Sequence, residues 1–273
     1  METPISPPDI TAYIGSMTEV ESELLKIFRP DEMLIILDVG ACEGEDSIRY
    51  AKRFPNAQIY SFEPLPSNQA LVLANFLRYG ISNAELIPVA LSDQAGEAEF
   101  HVSSGRPPDE FAGKNWNYGN KSNSLLAPAG NEPMYGWIEF KESIKVATLT
   151  LDEFCRRRGI DRIDFIHMDV QGAEHLVLAG ASASLRKTST VWLEVSDTPL
   201  YTGQKLRGEM QSLLGEKGFL LGFEVRRQLE GDQFYINRRT ARCWTYLARH
   251  RIHAAILGLR HLCGHIVKLL RAP

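Results

Sequence analysis

The residues best suited to chemistry begin at Asp38, in the stretch Asp38-Val39-Gly40-Ala41-Cys42-Glu43-Gly44. Gly40 and Gly44 permit a tight turn and let a ligand approach bare backbone. Glu63 follows Gly44 by 19 positions, close to the offset of about 20 at which a strand-end acid meets a ribose hydroxyl. Together these features point to a ligand that carries a nucleoside. A dinucleotide fingerprint needs three glycines as G-x-G-x-x-G, and the third is missing. A pyrophosphate also wants no carboxylate in the loop, whereas Glu43 suits a cationic end such as the amino group of a methionine moiety. The loop therefore favours S-adenosylmethionine over NAD. A second set of reactive side chains stands further on: Asp169, Glu174, His175 and Glu194, each at or just past the end of an apolar run.

These residues need strands to carry them. Leu34–Val39 is a short run rich in Ile, Leu and Val, the pattern of a strand buried on both faces. A helix over Glu45–Phe54 and a strand ending at Glu63 complete a βαβ unit. Ser67–Tyr79 reads as a helix stopped by Gly80, and Ala84–Val89 as a third strand. The turn after it, Ala90-Leu91-Ser92, lies where an adenine would be met. Glu97–Ser103 alternates like an antiparallel strand. Further strands fall at Lys145–Leu149, Ile163–Asp169 and Val191–Val195. Helices are expected over Asp152–Arg158, from Gly172 and Ala173 onward, and over Gly203–Lys217. Phe219–Arg226 and Gln233–Asn237 form a closing hairpin. This alternation predicts an α/β fold, a doubly wound and mostly parallel sheet with an antiparallel edge.

The organisation follows: 1–33 a capping segment, 34–238 the main domain, 239–273 a tail. Within the domain, 104–144 is an insertion rich in Gly, Pro, Asn and Ser, with Trp116, Tyr118, Tyr135 and Trp137 scattered through it. It reads as a lid or a sugar-contacting loop. The four cysteines show no metal-like or paired spacing, which suggests a reducing, cytoplasmic setting. The first residues carry no signal-peptide pattern, and no apolar stretch reaches the roughly 20 residues of a membrane span. Net charge is −4, but the residues from Arg238 onward hold +8 and no acid, leaving −12 for the rest. An acidic body argues against a nucleic-acid substrate. Apolar positions Ile256, Leu259, Cys263, Ile266 and Leu270 recur at helical spacing among basic residues. Residues 246–271 thus form a basic amphipathic helix, suited to a peripheral anionic membrane contact, to a homodimer or to the protein's own acidic body.

The motifs Ile36-Leu37-Asp38-Val39-Gly40-Ala41-x-x-Gly44, Ser61-Phe62-Glu63-Pro64 and Val89-Ala90-Leu91-Ser92-Asp93 resemble the FkbM-type methyltransferases. More specific are Ile163-Asp164-Phe165-Ile166-His167-Met168-Asp169-Val170-Gln171-Gly172-Ala173-Glu174 and Leu193-Glu194-Val195-Ser196. The likeness spans roughly Leu34 to Asn237. Three positions depart from it: Cys42 stands where Asn is common, His167 where Lys is common, and Gln171 where Glu is common.

The resemblance implies a class I, Rossmann-like methyltransferase fold with seven strands, S-adenosylmethionine, and transfer to oxygen. The acceptor is often a sugar hydroxyl of a glycolipid, polysaccharide or natural product, which includes lipid-linked glycans. Donor binding then falls to Asp38, Gly40, Ala41, Glu43, Gly44, Glu63, Pro64, Ala90, Leu91, Ser92 and Asp169. The base is Asp169 acting with Glu174, or His175 supported by one of them, with Glu194 as a further candidate. Each has a plainer alternative: Glu174 complements a helix dipole, His175 lies on a helix surface, Asp169 anchors a turn, Glu194 pairs with an arginine. A divalent cation on Asp169 and Glu194 has too few ligands to assert. The competing functions are an NAD-dependent oxidoreductase and a non-catalytic scaffold recruited by its tail.

Overall fold

The computed structural model describes residues 10–107, 118–129 and 136–240, with the isolated positions 243, 246 and 248. Helices α1 (Thr11–Gly15) and α2 (Glu19–Leu24) precede strand β1 (Ile35–Val39), helix α3 (Glu45–Arg53) and β2 (Gln58–Phe62). Then come α4 (Pro66–Tyr79), β3 (Ala84–Ile87), β4 (Ala90–Leu91), β5 (Gly96–Ser104) and β6 (Glu139–Leu149). The second half runs α5 (Leu151–Arg158), β7 (Ile163–Met168), α6 (Glu174–Ala179), β8 (Thr188–Ser196), α7 (Arg207–Glu216), β9 (Phe219–Arg226) and β10 (Glu230–Asn237).

Seven strands form one sheet in the order β3-β2-β1-β7-β8-β10-β9. Strands β1, β2, β3, β7 and β8 are parallel, and β10 runs antiparallel to both of its neighbours. The order reverses between β1 and β7, and a ligand crevice opens at such a switch point. This is the α/β, mostly parallel sheet with an antiparallel edge that the sequence predicts. The strands at Gly96–Ser104 and Glu139–Leu149 lie apart from it, joined with β4 in a second, three-stranded sheet.

Each central strand is buried on both faces because its alternate residues feed two cores. From β1, Leu37 and Val39 join the cluster with Phe154, Leu178 and Met210, while Ile36 joins that of Leu24, Tyr50 and Phe54 on the other face. Helices therefore cover both sides. Several expected boundaries move: β6 begins at Glu139, inside the expected insertion, β8 at Thr188 and β10 at Glu230, and α7 begins at Arg207, not Gly203. The Gln204 side-chain carbonyl accepts from the amides of Leu200 and Tyr201, which holds that stretch as a turn. The Glu209 carboxylate then caps the Leu206 amide and sets the helix start.

The first helices dock on α3 through a buried ion pair. Glu21 accepts from Arg49 at 2.8 Å and from Arg53 at 3.0 Å, and the Glu21 and Arg49 side chains are at most 1% exposed. Thr18 and Glu21 also form a capping box at the start of α2. The Tyr246 hydroxyl donates to Glu23 at 2.5 Å, and Cys243 is buried beside it in the same core cluster. The remainder of the expected amphipathic tail, from 249 on, lies outside the described residues. Among the described residues no helix is long and apolar enough to cross a membrane.

Removing one partner of a buried pair strands the other charge, which costs about 3–5 kcal/mol. Glu21→Ala should lose about that much in urea denaturation. A loss below about 1 kcal/mol would mean that the pair does not hold the helices.

Candidate functional site

The loops after β1, β2 and β7 converge at the carboxyl edge of the sheet. The Gly40 and Ala41 amides both donate to Phe62 O, at 3.1 and 2.9 Å. This ties the loop after β1 to the end of β2. Gly40 has φ +92°, and a Cβ there would lie 1.8 Å from the Asp169 carbonyl oxygen. The glycine is thus required by the backbone of the loop after β7, whatever ligand binds above. Cys42 and Gln171 are the two non-glycine residues with left-handed backbone among those described, φ +49° and +52°. Glu63 holds the loop from the other side: its carboxylate oxygens accept from the Cys42 amide at 2.9 Å and the Leu65 amide at 2.8 Å. Burial pushes its pKa up to about 8 against those amide bonds.

A cavity opens between these loops. Of the expected donor-binding residues, Gly40, Glu63, Pro64, Ala90, Leu91 and Asp169 line it. Asp38, Ala41, Glu43, Gly44 and Ser92 are not among its lining residues. Asp38 lies beneath, accepting from Ser47 Oγ at 2.5 Å, with His167 Nδ1 at 3.6 Å; burial raises its pKa to about 7. His167 is opposed by burial, yet the carboxylates of Asp46, Asp38 and Asp169 lift its pKa above the usual range. Glu43 is fully buried and accepts from Asn120 Nδ2 at 3.0 Å. Gly44 starts α3 at φ +80°, packed on Val72 and Phe76. Ser92 donates to Asp93.

Of the expected catalytic residues, Asp169 lines the cavity and Glu194 joins it through Gln171. The Gln171 amide nitrogen donates to Asp169 Oδ1 at 2.7 Å and to Glu194 Oε2 at 3.0 Å. Its carbonyl oxygen accepts from the Tyr201 hydroxyl at 3.1 Å. Burial raises the pKa of both carboxylates, and each gains further from nearby acids. Glu174 and His175 are not among the lining residues. The buried Glu174 carboxylate accepts from the Val170 and Gly172 amides at 3.1 and 3.3 Å and so fixes the turn after β7; burial lifts its pKa to about 7. His175 Nδ1 pairs with Gly172 O at 3.2 Å, and burial lowers its pKa. Gln171 also borders a second, small cavity with Phe140, Leu200 and Tyr201. The Phe140 and Tyr201 rings meet edge to face at 6.2 Å.

Sequence reasoning missed part of the wall. Asn120, Lys121, Asn123 and Leu125 line the first cavity. They belong to residues 118–129 of the insertion, a stretch with no hydrophobic period to announce it. Among the described residues no group of three or more His, Cys, Asp or Glu side chains is placed to hold a metal ion.

Residues 38–221 match the model of the Methyltransferase FkbM domain. The chain is 34% identical over 225 residues to 2-O-methyltransferase NoeI of Sinorhizobium fredii, covering 82% of this chain and 87% of that protein. It is 28% identical over 222 residues to 31-O-demethyl-FK506 methyltransferase FkbM of Streptomyces tacrolimicus, covering 76% and 81%. Among solved structures, the N-terminal domain of EvdMO1 in the presence of SAH and D-fucose aligns at TM-score 0.44 and 12% identity, over 82% of this chain and 84% of that one. That last likeness is too loose to place a residue.

Gly40→Ala should lower the melting temperature and abolish ligand binding together, since its Cβ meets backbone. A variant that melts like the wild type would refute the close approach. Glu63 sets a pH dependence in the ligand-free protein. Its folded pKa, about 8, exceeds the unfolded value of about 4.3. The folded state therefore holds a proton that the unfolded chain has released across that window. Its contribution is complete below about pH 4 and is lost as pH rises through about 8. Glu63→Gln should flatten the decline in unfolding free energy between about pH 5 and 8. An unchanged slope would assign the decline to other groups.

Proposed function

The chain belongs to the FkbM methyltransferase family and is an S-adenosylmethionine-dependent methyltransferase; on that premise we propose that it methylates a hydroxyl oxygen of a sugar-type acceptor. Family membership displaces the oxidoreductase and scaffold alternatives. The observation that carries the finer reading is the Asp169–Gln171–Glu194 array, which stands between two cavities. The name of NoeI, a 2-O-methyltransferase, supports an oxygen acceptor.

The residues fit the donor. Gly40 leaves bare backbone at the cavity wall, Glu63 faces the ribose position, and Ala90 and Leu91 form an apolar flank for adenine. When bound, S-adenosylmethionine supplies a methyl group made electrophilic by its sulfonium. The chain's own contribution is to hold the acceptor in line, exclude water and take a proton. A sugar hydroxyl has a high pKa, so its proton must leave as the new C–O bond forms. Asp169 receives that proton in this reading. Gln171 keeps the carboxylate aimed, and Glu194, two hydrogen bonds away, makes it more basic than an isolated aspartate. The two acids titrate as a pair, so the apparent pKa values belong to both. Glu174 keeps the turn in place and moves no proton, and His175 stays outside the reaction. The second cavity, walled by Phe140 and Tyr201, offers a sugar ring an apolar face beside Gln171. A lipid-linked acceptor met at a membrane by the basic tail is the version of this proposal in which residues beyond 249 take part.

Transfer of label from S-adenosylmethionine to a panel of sugar and natural-product hydroxyls checks the acceptor class; label appearing only on nitrogen would refute it. With an acceptor in hand, Asp169→Asn should cut turnover by about 10²-fold or more with little change in melting temperature. The rising limb of the wild-type pH–rate profile should sit above the ordinary carboxylate range, because the base must be ionised and its pKa is raised. Full turnover in Asp169→Asn would remove Asp169 as the base.

A further inference from the structure

The segment 118–129 is built against the donor cavity. Ser103 Oγ donates to Gly119 O at 2.7 Å, and the Ser103 amide donates to Asn123 Oδ1 at 2.8 Å. Ser124 Oγ donates to Gln171 O, and the Tyr201 hydroxyl to Ser122 O, both at 2.8 Å. The Ala129 and Thr202 amides add backbone bonds to Leu200 and Ala127. This strap therefore has a fixed register on the body, and it presents Asn120 and Lys121 to the cavity.

Two buried acceptors at that point have no donor among the described residues: Asn120 Oδ1 and Glu43 Oε2. Asn120 is only 9% exposed and Glu43 is fully buried. The same Asn120 amide already donates from Nδ2 to Glu43 Oε1 and to Asn68 Oδ1, each at 3.0 Å. A buried acceptor is ordinarily paired, and of these two residues Asn120 lines the cavity, so its open Oδ1 calls for a group with N–H donors there. An ammonium is such a group. Beside it, Lys121 is the one Lys or Arg among the residues that line the cavity. Its ammonium bonds Glu45 Oε1 at 2.5 Å and lies 3.7 Å from Cys42 Sγ. Glu45 and Glu43 flank it, so this end of the site holds both signs of charge, as a zwitterionic amino-acid end requires. S-adenosylmethionine has one anion, its carboxylate, and carries its ammonium on the neighbouring carbon.

We infer that the strap is the receptor for the amino-acid end of the donor, with Asn120 Oδ1 taking the ammonium and Lys121 the carboxylate. The inference rests on S-adenosylmethionine being the donor. It assigns the strap to the cofactor, where the sequence alone left open a lid or a sugar-contacting loop.

Calorimetric titration separates the possibilities, using the full chain with S-adenosylhomocysteine and with 5′-methylthioadenosine, which lacks the amino-acid end. Lys121→Met and Asn120→Ala should each weaken S-adenosylhomocysteine about 10-fold or more, the size of one charge-assisted hydrogen bond. Both should leave 5′-methylthioadenosine unchanged, and Lys121→Arg should restore most of the loss. Equal weakening of the two ligands, or weakening of neither, overturns the inference while the donor assignment stands. Failure of the wild type to bind S-adenosylhomocysteine overturns the donor assignment and the inference with it.

Discussion

Two loop backbones cross at Gly40 and Asp169 with no room for a single extra carbon. This contact fixes the distance between the ends of β1 and β7, the two strands at which the sheet order reverses. Everything at the carboxyl edge is referenced to it. The Gly40 and Ala41 amides are anchored on β2, and Glu63 clamps the next amide of the same loop. On the β7 side, Asp169 leads directly to Gln171, whose amide reaches β8 through Glu194. Four parallel strands are thereby coupled at one rim, three of them by hydrogen bonds to loops and not by the ladder alone. The crevice is rigid because its walls are bonded to each other before any ligand arrives.

The rim concentrates acids. Asp38, Asp46, Glu63, Asp169, Glu174 and Glu194 all have pKa values raised by burial. Isolated, each would be expensive to ionise in such surroundings. The structure supplies neutral donors to most of them: a serine hydroxyl for Asp38, backbone amides for Glu63 and Glu174, the Gln171 amide for the remaining pair. Among the described residues, His167 on the sheet and Lys121 on the strap bring positive charge, with Arg49 acting on Asp46 and Arg227 on Glu194. This concentration of acids favours a cationic ligand, whose charge would draw their protons off, over a pyrophosphate. It also gives His167 a task that a lysine could share, that of balancing Asp38 and Asp46 under the cofactor loop.

Much of this could be read from residues in order. The strand-loop-helix at Asp38, the acid at Glu63 and the mostly parallel sheet with its antiparallel edge follow from apolar runs of two-faced strands and from glycine positions. Gly40 was recognisable as a glycine that had to be one, although the Asp169 carbonyl that requires it was not foreseen. Glu174 was less legible, because its bonds to the Val170 and Gly172 amides depend on a turn whose shape no spacing reveals. Gln171 was visible only as a lost carboxylate. Its use as a bridge depends on Glu194, 23 residues later, and on Tyr201. The strap was illegible for a different reason. Asn120 and Lys121 sit in a polar stretch without period, and their meaning comes from Glu43, Asn68 and Ser103, which only the folded chain brings near.

The bond between Glu23 and Tyr246 joins points 223 residues apart within a core that also takes in Trp192, Phe234 and Phe165. It closes nearly the whole chain into a ring. Loop-closure entropy rises by only about 0.6 kcal/mol for each doubling of length, so a ring this large costs little more than one half its size. The ring also changes what a cut in the chain would do. A break in the connection between β3 and β7 leaves two pieces that remain joined by the Glu23–Tyr246 bond and along the β1–β7 ladder. The clasp between the first helices and Tyr246 thus holds the two halves of the chain together through side chains as well as through the sheet.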